Sequence, residues 1–262
     1  MATTILVSES MHPLGINRLQ EIATVQYDPL LYRDRKALLE RMADATALVV
    51  RNQTVVDGEL LQRAPRLKVV GRLGVGVDNI DLKTAAARGV TVVTARGANA
   101  VAVAEYVFAC LLHFSRALGT VDEAVRRGRW DRTLGGSELW GKTLGIVGLG
   151  DIGQRVALRA RAFGMLVMAA DPVASETHWA VMELGVKLTD LSTLLTSADF
   201  VSLHLPLIPE TYHLVGKKEL LLMKPTACLI NAARGGIVDE AALAEALTQG
   251  RLRGAALDVR EV

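Results

Sequence analysis

Cysteine is almost absent: Cys110 and Cys228 are the only two in 262 residues, far apart and without metal-ligand spacing. A disulfide framework and a cysteine-built metal centre are thereby excluded, no metal is expected, and both thiols read as buried groups of a reducing compartment. No polybasic run occurs and the formal net charge is only +2, so nothing points to nucleic acid or an anionic membrane as partner. A secretory signal is missing too. The chain opens on Thr4-Ile-Leu-Val-Ser8, a strand pattern rather than a charged segment leading into an apolar one, and a cytoplasmic location is expected. Nor is there an apolar run of the roughly 20 residues that would span a bilayer. The most apolar helical stretch, Ala100 to Phe114, is shorter, carries Glu105 and His113, and reads as a buried helix.

With 50% hydrophobic and 4% aromatic residues, the chain can bury one large core or two smaller ones, and two domains are expected. The stretch that organises it is Thr143-Leu-Gly-Ile-Val-Gly148-Leu-Gly150-Asp151-Ile152-Gly153. It reads as an apolar strand, a glycine turn and a helix start. Gly148 allows the sharp turn, Gly150 removes the side chain that would keep a pyrophosphate from the backbone, and Gly153 lets the helix lie close to the sheet. The uncompensated N–H groups at that helix start suit phosphates. Ile152, Val156, Ala160 and Phe163 then recur at helical spacing before Gly164, and a second apolar strand, Met165 to Ala170, runs into Asp171. A carboxylate roughly 20 residues past the glycines can accept hydrogen bonds from the adenosine ribose, which favours NAD over NADP. Pro172, Val173 and Ala174 offer no arginine for a 2′-phosphate. Asp171 as a mere turn-starting residue is the bland alternative.

The first hundred residues alternate strand candidates (Ile5–Val7, Leu48–Val50, Lys68–Val70, Thr91–Val93) with helical patterns near Leu14–Ile22, Arg35–Met42, Gly58–Arg63 and Leu82–Arg88. Such alternation argues a parallel sheet with crossover helices. The glycines of Gly71-Arg-Leu-Gly74-Val75-Gly76-Val-Asp78-Asn-Ile-Asp81 leave N–H groups exposed at a strand end, where a carboxylate can sit, while Asp81 itself reads as a helix N-cap. The boundary falls at residue 98, with a first domain of residues 1–98 and a second of 99–262. Residues 126–141 form an irregular excursion, an oligomer contact or a loop packed on its own Trp130 and Trp140.

Past Asp171 come strands Phe200–Leu205, Cys228–Asn231 and Ala255–Val259, so that five strands from Leu144 onward make a doubly wound sheet. Function in such sheets sits at the carboxyl ends of the strands. There lies Asn231-Ala-Ala-Arg234-Gly-Gly-Ile-Val-Asp239. An arginine held after a buried strand can take a carboxylate bidentately and polarise an adjacent carbonyl, or form a structural salt bridge, with Asp239 for example. His204 reads as a core histidine, and histidines 12, 113, 178 and 213 have no carboxylate at a suggestive spacing.

Taken with Asn99 and Val103-Ala-Glu105, and with His204-Leu-Pro-Leu207, these motifs resemble the D-isomer-specific 2-hydroxyacid dehydrogenases, in particular the phosphoglycerate dehydrogenase and hydroxypyruvate reductase branch. The resemblance covers essentially the whole chain. It implies an α/β architecture: a flavodoxin-like substrate domain, a Rossmann-type NAD-binding domain, a cleft closing on substrate, and a homodimer built through the NAD-binding domains. It makes Arg234 the catalytic arginine and gives the substrate carboxylate to the Val75–Gly76 backbone. Asp151 and Ile152 fall over the pyrophosphate, Asp171 on the ribose, Leu205, Ala232 and Ala233 along the cofactor, Asp258 on the carboxamide and Val103 near the ring. Arg51, Asn52 and Gln53 fall where the substrate's distal end is recognised.

The family's pattern continues past Asp258 with a glutamate five residues on and later a Pro-His pair carrying the general acid, positions beyond Val262. Glu261 is two residues short of that glutamate. The expectation is therefore an NAD-dependent oxidoreductase of small (R)-2-hydroxy acids whose remaining catalytic groups, and the substrate domain's closing helix, lie outside this chain. The alternative is a non-catalytic NAD-binding module used for interaction or regulation.

Overall fold

The computed structural model describes residues 3–261. The chain divides into two compact units, Met1–Ala98 and Asn99–Val262.

In the first unit, strands β1 (Thr4–Val7), β2 (Thr24–Tyr27), β3 (Ala47–Val50), β4 (Val69–Arg72) and β5 (Thr91–Thr94) alternate with helices α1 (Pro13–Gln20), α2 (Arg35–Met42), α3 (Gly58–Arg63) and α4 (Leu82–Ala87). Every strand pairs in parallel, in the order β2-β1-β3-β4-β5. That is the flavodoxin-like order, in which the winding reverses between β1 and β3. Neighbouring residues face opposite layers, as the period of two requires: Leu6, Leu48 and Val70 pack into one, Ile5, Val7 and Ala47 into the other.

The second unit opens with α5 (Ala100–Arg116) and α6 (Leu118–Arg126), joined at Ala117 in a left-handed conformation with φ 50°. There follow β6 (Thr143–Val147), α7 (Asp151–Ala162), β7 (Leu166–Ala170), α8 (Trp179–Leu184), β8 (Lys187–Leu188), α9 (Leu191–Ser197), β9 (Phe200–Leu203), α10 (Lys217–Leu222), β10 (Cys228–Asn231), α11 (Glu240–Thr248) and β11 (Gly254–Leu257). The parallel sheet runs β11-β10-β9-β6-β7-β8, the doubly wound order with its reversal between β6 and β9. Fully burying a Leu or Ile contributes about 1.5–3 kcal/mol relative to exposure. Leu144 and Ile146 of β6 are both 0% exposed, which anchors the strand that leads into the turn at Gly148.

Helices start on aspartates in both units. Asp34, Asp57, Asp81, Asp190 and Asp239 each accept the N–H of the residue three positions on, opening α2, α3, α4, α9 and α11. Each such cap is worth typically about 1 kcal/mol, and Asp81 behaves as its sequence context predicts.

The second sheet has six strands rather than the five expected, and β2 is likewise unmarked in the sequence. Both missed strands lie at sheet edges. β2 is mostly exposed and β8 is two residues long, so neither carries the apolar pattern that marks a strand covered on both faces. Strand ends shift too: β7 begins at Leu166 rather than Met165, β9 stops at Leu203 and β11 at Leu257. Among the described residues no single helix is long and apolar enough to cross a membrane.

Candidate functional site

In the second unit, the turn after β6 is locked from several sides. Gly148 adopts φ +93° and donates its N–H to Ala170 O at 2.9 Å. A Cβ on Gly148 would stand 2.4 Å from the carbonyl oxygen of His204, and one on Gly153 2.2 Å from that of Gly148. Gly150 differs: a Cβ there would meet nothing within 4 Å. Gly150 is the N-cap of α7 and supplies no side-chain cap, so the first-turn N–H groups next to this open space are left for a ligand. Asp151, exposed in that first turn, pairs with Arg155 at 3.2 Å, and Ile152 is half-buried. A dinucleotide's pyrophosphate fits this arrangement: backbone donors, a positive helix end, and no Cβ in the way.

Asp171 follows β7 and sits beside the same turn. Its Oδ2 accepts Leu149 N–H at 2.7 Å, and its Oδ1 accepts those of Val173 at 2.8 Å and Ala174 at 3.2 Å. Burial alone would raise its pKa; these N–H bonds and nearby His178 outweigh it and hold the carboxyl below its usual value. The group is thus an anion, half-exposed, with acceptor capacity left over for hydroxyl donors.

The turn after β10 is tied by Asn231, only 1% exposed. Its Oδ1 accepts Ala233 N–H at 3.1 Å and its Nδ2 donates to Arg234 O at 2.8 Å. Arg234 is extended and its Nη1 donates to Ala233 O at 2.7 Å. Asp239, weighed above as its salt-bridge partner, accepts the N–H of Ala242 as the cap of α11. Next in the sheet, Asp258 N–H donates to Asn231 O at 3.0 Å, and the Asp258 side chain is exposed just past β11. Leu205, Ala232 and Ala233 are half-exposed in the loops after β9 and β10. Glycine turn, Asp171, Leu205, Arg234 and Asp258 thus all follow carboxyl ends of strands in one sheet. Val103 does not: it lies half-buried in the first turn of α5.

Residues 108–262 match the family model described as the NAD binding domain of D-isomer specific 2-hydroxyacid dehydrogenases. The chain belongs to this family. It is 44% identical to a D-3-phosphoglycerate dehydrogenase of Methanocaldococcus jannaschii over 98% of its own length, yet spans only 49% of that relative. Against an (S)-sulfolactate dehydrogenase of Chromohalobacter salexigens the identity is 45%, covering 98% of this chain and 83% of the other. Among solved structures, the TT0316 protein of Thermus thermophilus superposes with a TM-score of 0.90 at 38% identity, over 98% of this chain and 82% of that one.

The first unit carries the remaining expected residues of the family pattern. Arg51, Asn52 and Gln53 are exposed directly after β3. Val75, 46% exposed, and Gly76 lie in the loop after β4, and their N–H groups have no acceptor among the described residues. Beneath the first loop sits a residue not anticipated, Glu9, 3% exposed, whose carboxylate accepts three N–H bonds from that loop. The available signal was a Ser-Glu pair directly after the apolar run Ile5-Leu6-Val7.

His204 lies just past β9 with its Nε2 3.0 Å from Ser202 Oγ, and its Nδ1 is buried without a partner. Burial pushes its pKa down to about 4, so the ring is neutral near pH 7; lying past the strand, half-buried and with one ring nitrogen unpartnered, it is not the core histidine expected. His213 is a second correction. Its Nε2 is 3.0 Å from Glu261 Oε2, and Tyr212 donates its hydroxyl to Glu261 Oε1 at 2.9 Å. Glu261 N–H and Arg260 Nε in turn donate to the Glu240 carboxylate, both at 2.6 Å. Partners so distant in sequence have no local spacing to betray them.

Proposed function

We propose that the chain is the cofactor-binding and substrate-orienting part of an NAD-dependent oxidoreductase interconverting a small (R)-2-hydroxy acid and its 2-oxo acid. The observation that carries this is Arg234, held extended by the buried Asn231 at a carboxyl strand end of the sheet that also bears the glycine turn and Asp171. A binding module has no need of a carboxylate fork there. Bound NAD takes or supplies the hydride. Asp171 accepts the adenosine ribose hydroxyls, and its charge repels a 2′-phosphate. Gly148, Gly150, Asp151, Ile152 and Gly153 line the pyrophosphate, with Leu205, Ala232, Ala233, Val103 and Asp258 along the rest of the cofactor. The guanidinium of Arg234 binds the 2-oxo acid and stabilises charge developing on its carbonyl oxygen. Val75 and Gly76 offer N–H groups to the substrate carboxylate, and Arg51 and Asn52 contact the distal group, a phosphate or sulfonate as in the substrates that name the two relatives. Homodimerisation and a cytoplasmic location belong to the same proposal; Trp130 and Trp140, 78% and 74% exposed, support a partner surface in the second unit.

Steady-state oxidation of NADH by the full-length protein with 3-phosphohydroxypyruvate, hydroxypyruvate and glyoxylate tests the reading. Turnover of at least one is expected. Tight NADH binding with no turnover of any 2-oxo acid would favour the non-catalytic module.

A further inference from the structure

We propose that Glu9 is a positioning residue: its buried carboxylate holds residues 51–54 in the shape that offers Arg51 and Asn52 to the distal group of the substrate. Its Oε1 accepts Arg51 N–H at 2.8 Å and Thr54 N–H at 2.9 Å, and its Oε2 accepts Gln53 N–H at 3.1 Å. A carboxylate out of water is costly unless such bonds replace its hydration. Burial alone would raise its pKa, and the N–H bonds of Thr54, Arg51 and Gln53 outweigh that and keep it ionised below the usual carboxylate range. The same loop is tied further by Ser8 and Thr54, 0% and 1% exposed, whose hydroxyls meet at 2.8 Å. Asn79 closes it from the next strand end, its Nδ2 donating to Arg51 O at 3.1 Å and Thr54 O at 2.7 Å.

Position in the sheet gives this scaffold its purpose. Glu9 follows β1 and residues 51–54 follow β3, the two strands between which the winding reverses, and ligands of open parallel sheets bind in the crevice at that reversal. The loop's backbone N–H groups and the Thr54 side chain are spent inward, while the side chains of residues 51–53 are exposed. Arg51 and Asn52 are exposed, and neither side chain has a partner among the described residues. An over-determined backbone beneath unpartnered polar side chains is what a preorganised binding loop needs and a mere connection does not.

The assignment rests on Arg51 and Asn52 being substrate contacts, so the experiment separates the two. In the full-length protein, Glu9→Gln, Glu9→Asp and Arg51→Ala are compared by amide hydrogen exchange and by kinetics with 3-phosphohydroxypyruvate and with glyoxylate, which has no distal group. Glu9→Gln is expected to speed exchange at Arg51, Gln53 and Thr54 by about tenfold or more. It should raise KM for 3-phosphohydroxypyruvate by about tenfold while leaving kcat, and KM for glyoxylate, unchanged. Glu9→Asp keeps the charge on a shorter stem and should fall between, and it carries the comparison if the glutamine variant does not fold. Unchanged exchange, unchanged KM, or a KM rising equally for both substrates would overturn the role of Glu9. If Arg51→Ala leaves KM for 3-phosphohydroxypyruvate unchanged, the substrate contact itself is wrong, an outcome the exchange data cannot mimic.

Discussion

The imidazole of His213 and the carboxylate of Glu261, 48 residues apart in the chain, meet at 3.0 Å. The pair joins the loop after β9 to the segment after β11, and His213 N–H also donates to Gly236 O at 2.7 Å, drawing in the loop that carries Arg234. Tyr212 stacks on the His213 ring with centroids 4.0 Å apart.

The first prediction is a pH-dependent coupling between these two residues. His213 and Tyr212 hold the Glu261 carboxyl below its usual value. A depressed carboxyl contributes stability that is present above its unfolded pKa and lost as pH falls through the folded one. A double-mutant cycle of His213→Ala and Glu261→Ala, read by thermal unfolding, should be non-additive at pH 6 and approach additivity well below pH 4.5. Additive effects at pH 6 would mean that the contact contributes nothing.

Cofactor choice gives a second. The protein should prefer NADH to NADPH by about a hundredfold or more, on the order of 3 kcal/mol, and Asp171→Ala should shrink that ratio. Equal affinities in the unmutated protein, measured by titration with both cofactors, would refute the ribose assignment.

Arg234→Lys keeps the charge but loses the planar fork, which is not conservative at a bidentate site. The expected loss in kcat/KM for a 2-oxo acid is about a hundredfold, or roughly 3 kcal/mol of transition-state stabilisation, with NADH affinity nearly intact. Wild-type turnover in this variant would leave Arg234 a structural residue of its turn.

His204 supplies a prediction of opposite character, a stability effect without a catalytic one. Its pKa is pushed from 6.5 to about 4, so between those values the unfolded chain binds a proton that the folded one refuses. Stability should therefore fall as pH drops from 6.5 towards 4, by about 3 kcal/mol across the window. Denaturant unfolding of the wild type and of His204→Gln at pH 7 and pH 4.5 checks this. A slope equal in both would show that His204 is not the group responsible.

Much of the second unit was legible because its determinants are local. Strands buried on both faces, a glycine turn and a carboxylate at the next strand end follow one another in sequence, and Asn231 to Arg234 continue the pattern. What escaped reading depends on residues brought together from far away. The Ser8-Glu9 pair marks a polar strand end, but the role of Glu9 depends on partners 42 to 45 positions on. His213 and Glu261 failed the test of spacing for the same reason. The edge strands β2 and β8 escaped because an edge needs no apolar pattern on both faces.

The three glycines of the turn after β6 are not equivalent. At Gly148 and Gly153 an added methyl would strike backbone carbonyls, whereas at Gly150 it would enter empty space. Two of them are thus constrained by the protein itself, and the third only by the pyrophosphate proposed to lie against it. Alanine at Gly148 or Gly153 should be counted among folding defects whatever the assay reports. Alanine at Gly150 should yield a stable chain deprived of its cofactor, which makes it the substitution for separating the architecture of this family from its chemistry.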